Sequence, residues 1–148
     1  MCLSTEFLAL IFVSDLIFPF QYKYLPEVGR VFVPNIRIGL KTIDGVIKYD
    51  FLVDTGSDLT TLPFFMAHKL EINLAKATAS NAQGIGGHVV KTWLVKLPLI
   101  FSNETIFVRA SITNENSTPF LLGRVDLLDV VYSWNFNAKK KIIEFEKL

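Results

Sequence analysis

The stretch Asn35-Ile36-Arg37-Ile38-Gly39-Leu40 alternates polar or small residues with apolar ones, a period of two that puts Ile36, Ile38 and Leu40 on one face of a β-strand. Residues 46–53 are a second β-rich run. Between the two, Asp44-Gly45 is a pair that favours a type I′ hairpin turn, because both residues accept positive φ. An antiparallel hairpin is therefore expected. Its second strand runs straight into Asp54-Thr55-Gly56-Ser57-Asp58, small or polar residues with a glycine that frees the backbone to turn, so chemistry placed here sits at a strand end.

Pro63 suits the first turn of a short helix reaching about Leu70, and residues 75–81 show no clear period. Gly84-Ile85-Gly86-Gly87 is a glycine-dense turn between two extended segments, the second spanning residues 88–97, and predicts an exposed hairpin. Further strands are expected at residues 97–101, 106–112 and 120–122, separated by Asn/Ser/Thr-rich loops. Leu127, Leu128 and Val131 are spaced for a helix starting near Arg124, and residues 133–136 with 142–145 suit a closing hairpin. The pattern predicts a mostly β fold with one or two short helices, as one domain over residues 16–148 after an apolar extension over residues 1–15.

Composition narrows the function classes. With 51% hydrophobic and 13% aromatic residues, thirteen of them Phe, the chain is too apolar for disorder and rich enough to leave apolar surface for a partner. The net charge is +1 and the basic residues are scattered apart from Lys139-Lys140-Lys141, which reads as a solvated turn, so no nucleic-acid partner is expected. Cys2 is a lone cysteine, and His68 and His88 have no Cys or His neighbours at metal-ligand spacing; neither a disulfide nor a metal or other cofactor is expected. The apolar runs at residues 7–13 and 16–20 are split by Asp15 and interrupted by Pro19. Each is shorter than the ~20 residues that span a bilayer, so a packed segment, no membrane anchor and a cytoplasmic location are expected.

The run Phe51-Leu52-Val53-Asp54-Thr55-Gly56-Ser57-Asp58 resembles the active-site signature of retroviral-type, or retropepsin-like, aspartic proteases. Three further features follow in that family's order: the glycine turn at residues 84–87, Phe120-Leu121-Leu122-Gly123-Arg124, and a helical segment after it. The resemblance runs from about Val31 to Phe145. It implies a single-lobe closed β fold with a flap hairpin, assembled as a two-fold homodimer that hydrolyses peptide bonds. Asp54, Thr55 and Gly56 would form the catalytic motif, with Thr55 bonding across the dimer axis and Gly56 letting the backbone lie close to the carboxylates. Ser57, Asp58 and Arg124 would support it, the last two as an ion pair. Ile85, Gly86 and Gly87 on the flap, with Phe120 and Leu121 on the wall, would bind a peptide and favour apolar residues near the cut. The chain departs from the retroviral pattern in placing Val125 between Gly-Arg and Asp126.

Metal-free peptide hydrolysis explains why the motif must be doubled. One group must take a proton from water while another gives one to the carbonyl oxygen and then to the amine, so two carboxyls must hold different protonation states. Asp44, Asp50, Asp126 and Asp129 lack the Asp-Thr-Gly or Asp-Ser-Gly pattern, which leaves a second copy of the chain as the source of the other carboxylate. A Ser57 hydroxyl donating to the ionised carboxylate would favour the charged form, and Ser57→Ala would then move the activity optimum to higher pH. Two other readings remain at this stage. Asp-x-Gly after a strand resembles a phosphate loop of the actin and sugar-kinase group, which requires a far longer chain and a second acidic strand. A non-catalytic dimerisation or peptide-binding module would keep the same fold.

Overall fold

The computed structural model describes residues 16–128 and 130–148; the apolar extension, Cys2 and Asp129 lie outside the described residues. The strands are β1 (Ile17–Pro19), β2 (Gln21–Leu25), β3 (Gly29–Val33), β4 (Asn35–Thr42), β5 (Gly45–Val53) and β6 (Thr60–Leu62). A short helix α1 (Met66–Lys69) and a 3₁₀ turn (Leu74–Lys76) precede β7 (Thr78–Gln83), β8 (Val89–Phe101), β9 (Glu104–Thr113), β10 (Leu121–Leu122), β11 (Tyr132–Asn137) and β12 (Ile142–Lys147). This is the mostly β chain that the hydrophobic rhythm predicts.

Seven strands form one sheet in the order β4-β5-β10-β6-β9-β8-β7. β4 also pairs back onto β8 at Gly39↔Ile100, so six of the seven close into a ring and β7 is left as an outer strand. The ring closes because each strand has one apolar face to bury. Ile36, Ile38 and Leu40 of β4 are at most 1% exposed and meet Phe51 of β5, Leu97 and Leu99 of β8, and Val108, Ala110 and Ile112 of β9. Burying a side chain of this size contributes roughly 1.5–3 kcal/mol, so this interior is the main source of stability.

Beside the ring, β1, β12 and β11 form a three-stranded sheet within the one chain. Phe101 joins the two layers, its ring 5.9 Å from Phe18, 5.1 Å from Phe145 and 4.7 Å from Tyr132. The buried Tyr132 donates its hydroxyl proton to Glu104, and Lys147 donates to the same carboxylate at 2.7 Å. Burial, then the bond to Glu104, pushes the Tyr132 phenol well above its ordinary range, so this ring stays a neutral donor at any physiological pH.

Two expectations change and one element is new. The β4–β5 hairpin forms, but the register closes at Thr42↔Gly45, and Gly45 (φ +95°) is left-handed while Asp44 is not. The turn is therefore not type I′, which needs both residues at positive φ. Thr42 decides this, since its hydroxyl accepts from the Asp44 N–H and donates to the Gly45 carbonyl. The helix expected near Arg124 is absent: residues 124–127 are a turn, broken by Asp126 at φ +66°, although Leu127 and Leu128 are buried as their spacing predicts. A hairpin of β2 with β3, paired from Gln21↔Val33 to Leu25↔Gly29, was not foreseen; it carries exposed Tyr24 and Val28 and is rooted by Phe32, stacked on Phe20 at 3.8 Å and edge-on to Phe136. No helix among the described residues is long and apolar enough to cross a membrane.

Candidate active site

β10 decides where the Asp-Thr-Gly run can go. It pairs parallel with β5 at Leu121↔Leu52 and Leu122↔Val53, and antiparallel with β6 at Leu121↔Thr61. With β10 wedged between them, β5 and β6 can be joined only by a loop that arches over its end. The buried side chains of Phe51, Val53, Leu62 and Leu122 anchor the strands beneath this arch. Backbone bonds hold the chain up to its first residue: Leu52 N–H to the Phe120 carbonyl (2.8 Å), Val53 N–H to Pro34 (2.8 Å) and Asp54 N–H to Leu122 (3.0 Å).

Asp54 is half-buried, whereas Thr55 and Gly56 are exposed. The Gly56 N–H donates to Asp54 Oδ1 at 3.0 Å, and the Ser57 N–H donates to the Asp54 carbonyl at 3.1 Å. A Cβ on Gly56 would sit 3.2 Å from the same Oδ1, so the glycine does let the backbone approach the carboxylate as the resemblance implies. Oδ2 accepts no hydrogen bond among the described residues and is available to a reacting group.

Ser57 does not behave as expected. Its hydroxyl donates to the Leu59 carbonyl at 2.8 Å, an acceptor it shares with Thr61 Oγ1 at 3.1 Å. A hydroxyl has one proton to give, and here it stiffens the arch instead of reaching the Asp54 carboxylate. The expected upward pH shift for Ser57→Ala loses its basis.

The segment after β10 passes behind the arch and braces it. The Gly123 N–H donates to Thr60 Oγ1 at 3.2 Å, Arg124 N–H to the Ser57 carbonyl at 3.1 Å, and Val125 N–H to Asp58 at 2.8 Å. Arg124 also pairs with Asp58, as the resemblance implies. That pair is not buried, however: the two side chains are 49% and 78% exposed in the single chain. The large penalty for stranding a buried charge therefore does not apply, and an exposed pair contributes only about 0–1 kcal/mol. The backbone bonds do most of the bracing. Neither Gly123 nor Thr60 had a role assigned from sequence; Gly123 could be found only as part of Gly-Arg, and nothing in the local pattern marks Thr60.

Asp126, the residue displaced by Val125, turns out to be a second brace. It accepts from the Arg109 backbone N–H (2.9 Å), Nε (2.9 Å) and Nη2 (3.0 Å), tying the turn to β9. The Arg109 guanidinium first, and then its backbone N–H, lower the Asp126 carboxyl from 3.8 to about 2. A carboxyl depressed on folding adds stability above its unfolded value and loses it as pH falls through the folded one. Asp126→Asn tolerates the same left-handed φ but removes the charge. Its destabilisation in urea melts is expected to be full near neutral pH and to shrink between 3.8 and about 2; a destabilisation independent of pH would show that the charge is not what holds the turn.

The glycine turn forms the predicted hairpin tip. Gly86 (φ +88°) and Gly87 (φ +82°) adopt left-handed conformations, and Ile85 is fully exposed at the apex. Phe120 is only partly buried against the core. Its ring stacks on Tyr49 at 4.9 Å and meets Phe51 edge-on at 5.3 Å, which makes it a packing residue of the sheet, while Leu121 beside it stays half-buried between β5 and β6. A surface depression of about 370 Å³ floored by Gly39, Val46 and Ile100 contains none of these residues, and among the described residues no cluster of His, Cys, Asp and Glu could hold a metal ion.

A closed β ring that delivers Asp-Thr-Gly on an arch over a Gly-Arg brace, with a glycine-tipped hairpin, is the retropepsin-like aspartic protease fold. Residues 41–124 match the aspartyl protease family, and the chain belongs to that family. The fold is similar to that of a retropepsin-like aspartic protease from Rickettsia conorii, at 20% identity and a TM-score of 0.55, covering 79% of this chain and 98% of that one. The protease of EIAV in complex with the inhibitor HBY-793 aligns at 22% identity and a TM-score of 0.48, covering 69% of this chain and 88% of that one. No curated protein sequence matches the chain at a significant level.

Proposed function

We propose that the chain is an aspartic endopeptidase that works as a homodimer, with Asp54 of each subunit supplying one of two catalytic carboxyls. The observation that carries this reading is the state of the arch. Of its two carboxylates, Asp58 is paired with Arg124, which leaves Asp54, fixed through Oδ1 by Gly56, beside Thr55 and Gly56 that are exposed in the single chain. A two-fold axis through this point would cover Thr55 and Gly56 and set one Asp54 against the other.

Two carboxyls about 3 Å apart cannot both ionise and so share one proton. The ionised one takes a proton from water as that water attacks the peptide carbonyl. The protonated one gives its proton to the carbonyl oxygen, forming a tetrahedral diol. In the collapse that breaks the C–N bond, the carboxyl that took the water's proton gives it to the departing amine while the other takes a proton from a diol hydroxyl, which restores the shared state, so the cycle needs no metal or other cofactor. The exposed edge of β7 and the glycine-tipped flap suit an extended peptide bound as an added strand, with Ile85 and Leu121 offering apolar contacts near the cut.

The test is proteolysis of an unstructured protein substrate across about pH 3 to 7, repeated on dilution. Specific activity is expected to fall as the enzyme is diluted through the range where sedimentation shows dimer giving way to monomer. Constant specific activity in a monomer would remove the shared-site mechanism. A dimer that cleaves nothing across that range would leave the non-catalytic module as the better reading.

A further inference from the structure

The flap has almost nothing to rest on. All six residues of β7 are exposed, the last rung of the β7–β8 ladder is Gln83↔Val89, and the turn beyond it is closed by the Gly84 N–H bond to the His88 carbonyl at 3.0 Å. One side-chain tie compensates among the described residues: His88 Nε2 lies 2.9 Å from Glu115 Oε1.

Glu115 is not on a loose loop. Its carbonyl accepts from the Phe64 N–H at 3.1 Å, just before α1, and the neighbouring Asn114 N–H donates to Lys91 of β8 at 2.9 Å. Its N–H donates to Thr113 Oγ1, which in turn lies 2.8 Å from Thr118 Oγ1. The same loop leads into β10, whose Leu122 carbonyl holds the Asp54 N–H. The flap is thus fastened by one side chain to the segment that fixes the candidate carboxylate.

We propose that His88 and Glu115 are positioning residues that set the height of the flap over the Asp54 site. This rests on the protease reading above. Neither residue touches the reacting atoms; by limiting how far the flap swings away they raise the fraction of enzyme ready to bind peptide, which affects substrate capture more than chemistry.

The experiment compares wild type with His88→Gln, Glu115→Gln and His88→Lys, the last placing a different donor at residue 88 for the Glu115 carboxylate. KM is expected to rise roughly two- to five-fold in Glu115→Gln, and by a similar or smaller factor in His88→Gln, with kcat unchanged and KM near wild type in His88→Lys. Amide hydrogen exchange at residues 84–87 should speed up in the Glu115→Gln variant and return to the wild-type rate in His88→Lys. Unchanged KM and unchanged exchange in Glu115→Gln would overturn the proposal, and so would a fall in kcat with KM intact. Should the wild type cleave nothing, the protease reading fails while exchange still decides the clasp: faster flap exchange supports it and equal exchange refutes it.

Discussion

Asp54→Asn is expected to lower kcat/KM by about 10⁴-fold or more while leaving the chain folded and able to dimerise. Asn has nearly the same shape as Asp, and its carbonyl oxygen can accept the Gly56 N–H that now bonds Oδ1. The backbone bond from Asp54 N–H to Leu122 is untouched. What the amide cannot do is hold or release the proton that the proposed pair would share, and in the proposed homodimer one substitution removes both carboxyls together. The comparison therefore needs three measurements on the same sample: kcat/KM, a urea melt and sedimentation. A variant that melts and sediments like wild type but cleaves nothing locates the chemistry at Asp54. One that cleaves as well as wild type removes Asp54 from the mechanism.

The parts of this site that the sequence exposes are those encoded by neighbouring residues. Alternation in β4 and the apolar run of β5 announce two strands, and the small residues after Val53 announce a turn at the strand end, because period and turn chemistry are local properties. The brace behind the arch is not local. Thr60 meets Gly123 across 63 positions in sequence, and a buried threonine looks the same in the sequence as one on a surface. The Ser57 hydroxyl was assigned to the wrong acceptor for a related reason: the Asp54 carboxylate and the Leu59 carbonyl lie within three residues of it, and only the path of the arch decides between them. The helix expected after Arg124 failed through competition of a similar kind. Leu127 and Leu128 have helical spacing and are buried, but three hydrogen bonds from Arg109 hold Asp126 in a left-handed turn. The β2–β3 hairpin falls mostly before the region of resemblance and mixes exposed aromatic and charged side chains, so neither likeness nor period could reveal it.

Gly123→Ala tests the brace, and its expected effect on stability is the largest of any single methyl added to this site. A Cβ built at residue 123 would lie 2.4 Å from the Leu59 carbonyl carbon, 2.5 Å from its oxygen and 2.7 Å from Thr60 N. These are backbone atoms of the arch, so no rotamer change can relieve the overlap. Gly123 does not have positive φ, which makes space, not backbone conformation, the reason for glycine here. Overpacking of a well-filled site costs about 1–3 kcal/mol, and with backbone on the far side of the contact the upper end of that range is expected. Relief requires the arch to move away from the brace, which would lengthen the bonds from Gly123 to Thr60 and from Arg124 to Ser57 and carry Asp54 with it. Activity should therefore fall even under conditions where the variant is fully folded. Thr60→Val is the control that separates the two effects: it strands the buried Gly123 N–H at about 1–3 kcal/mol without forcing the backbones apart. If the arch must be displaced to admit the methyl, Gly123→Ala loses activity when folded and Thr60→Val largely keeps it. Equal activity in both folded variants would mean that the brace stabilises the arch without setting the position of Asp54.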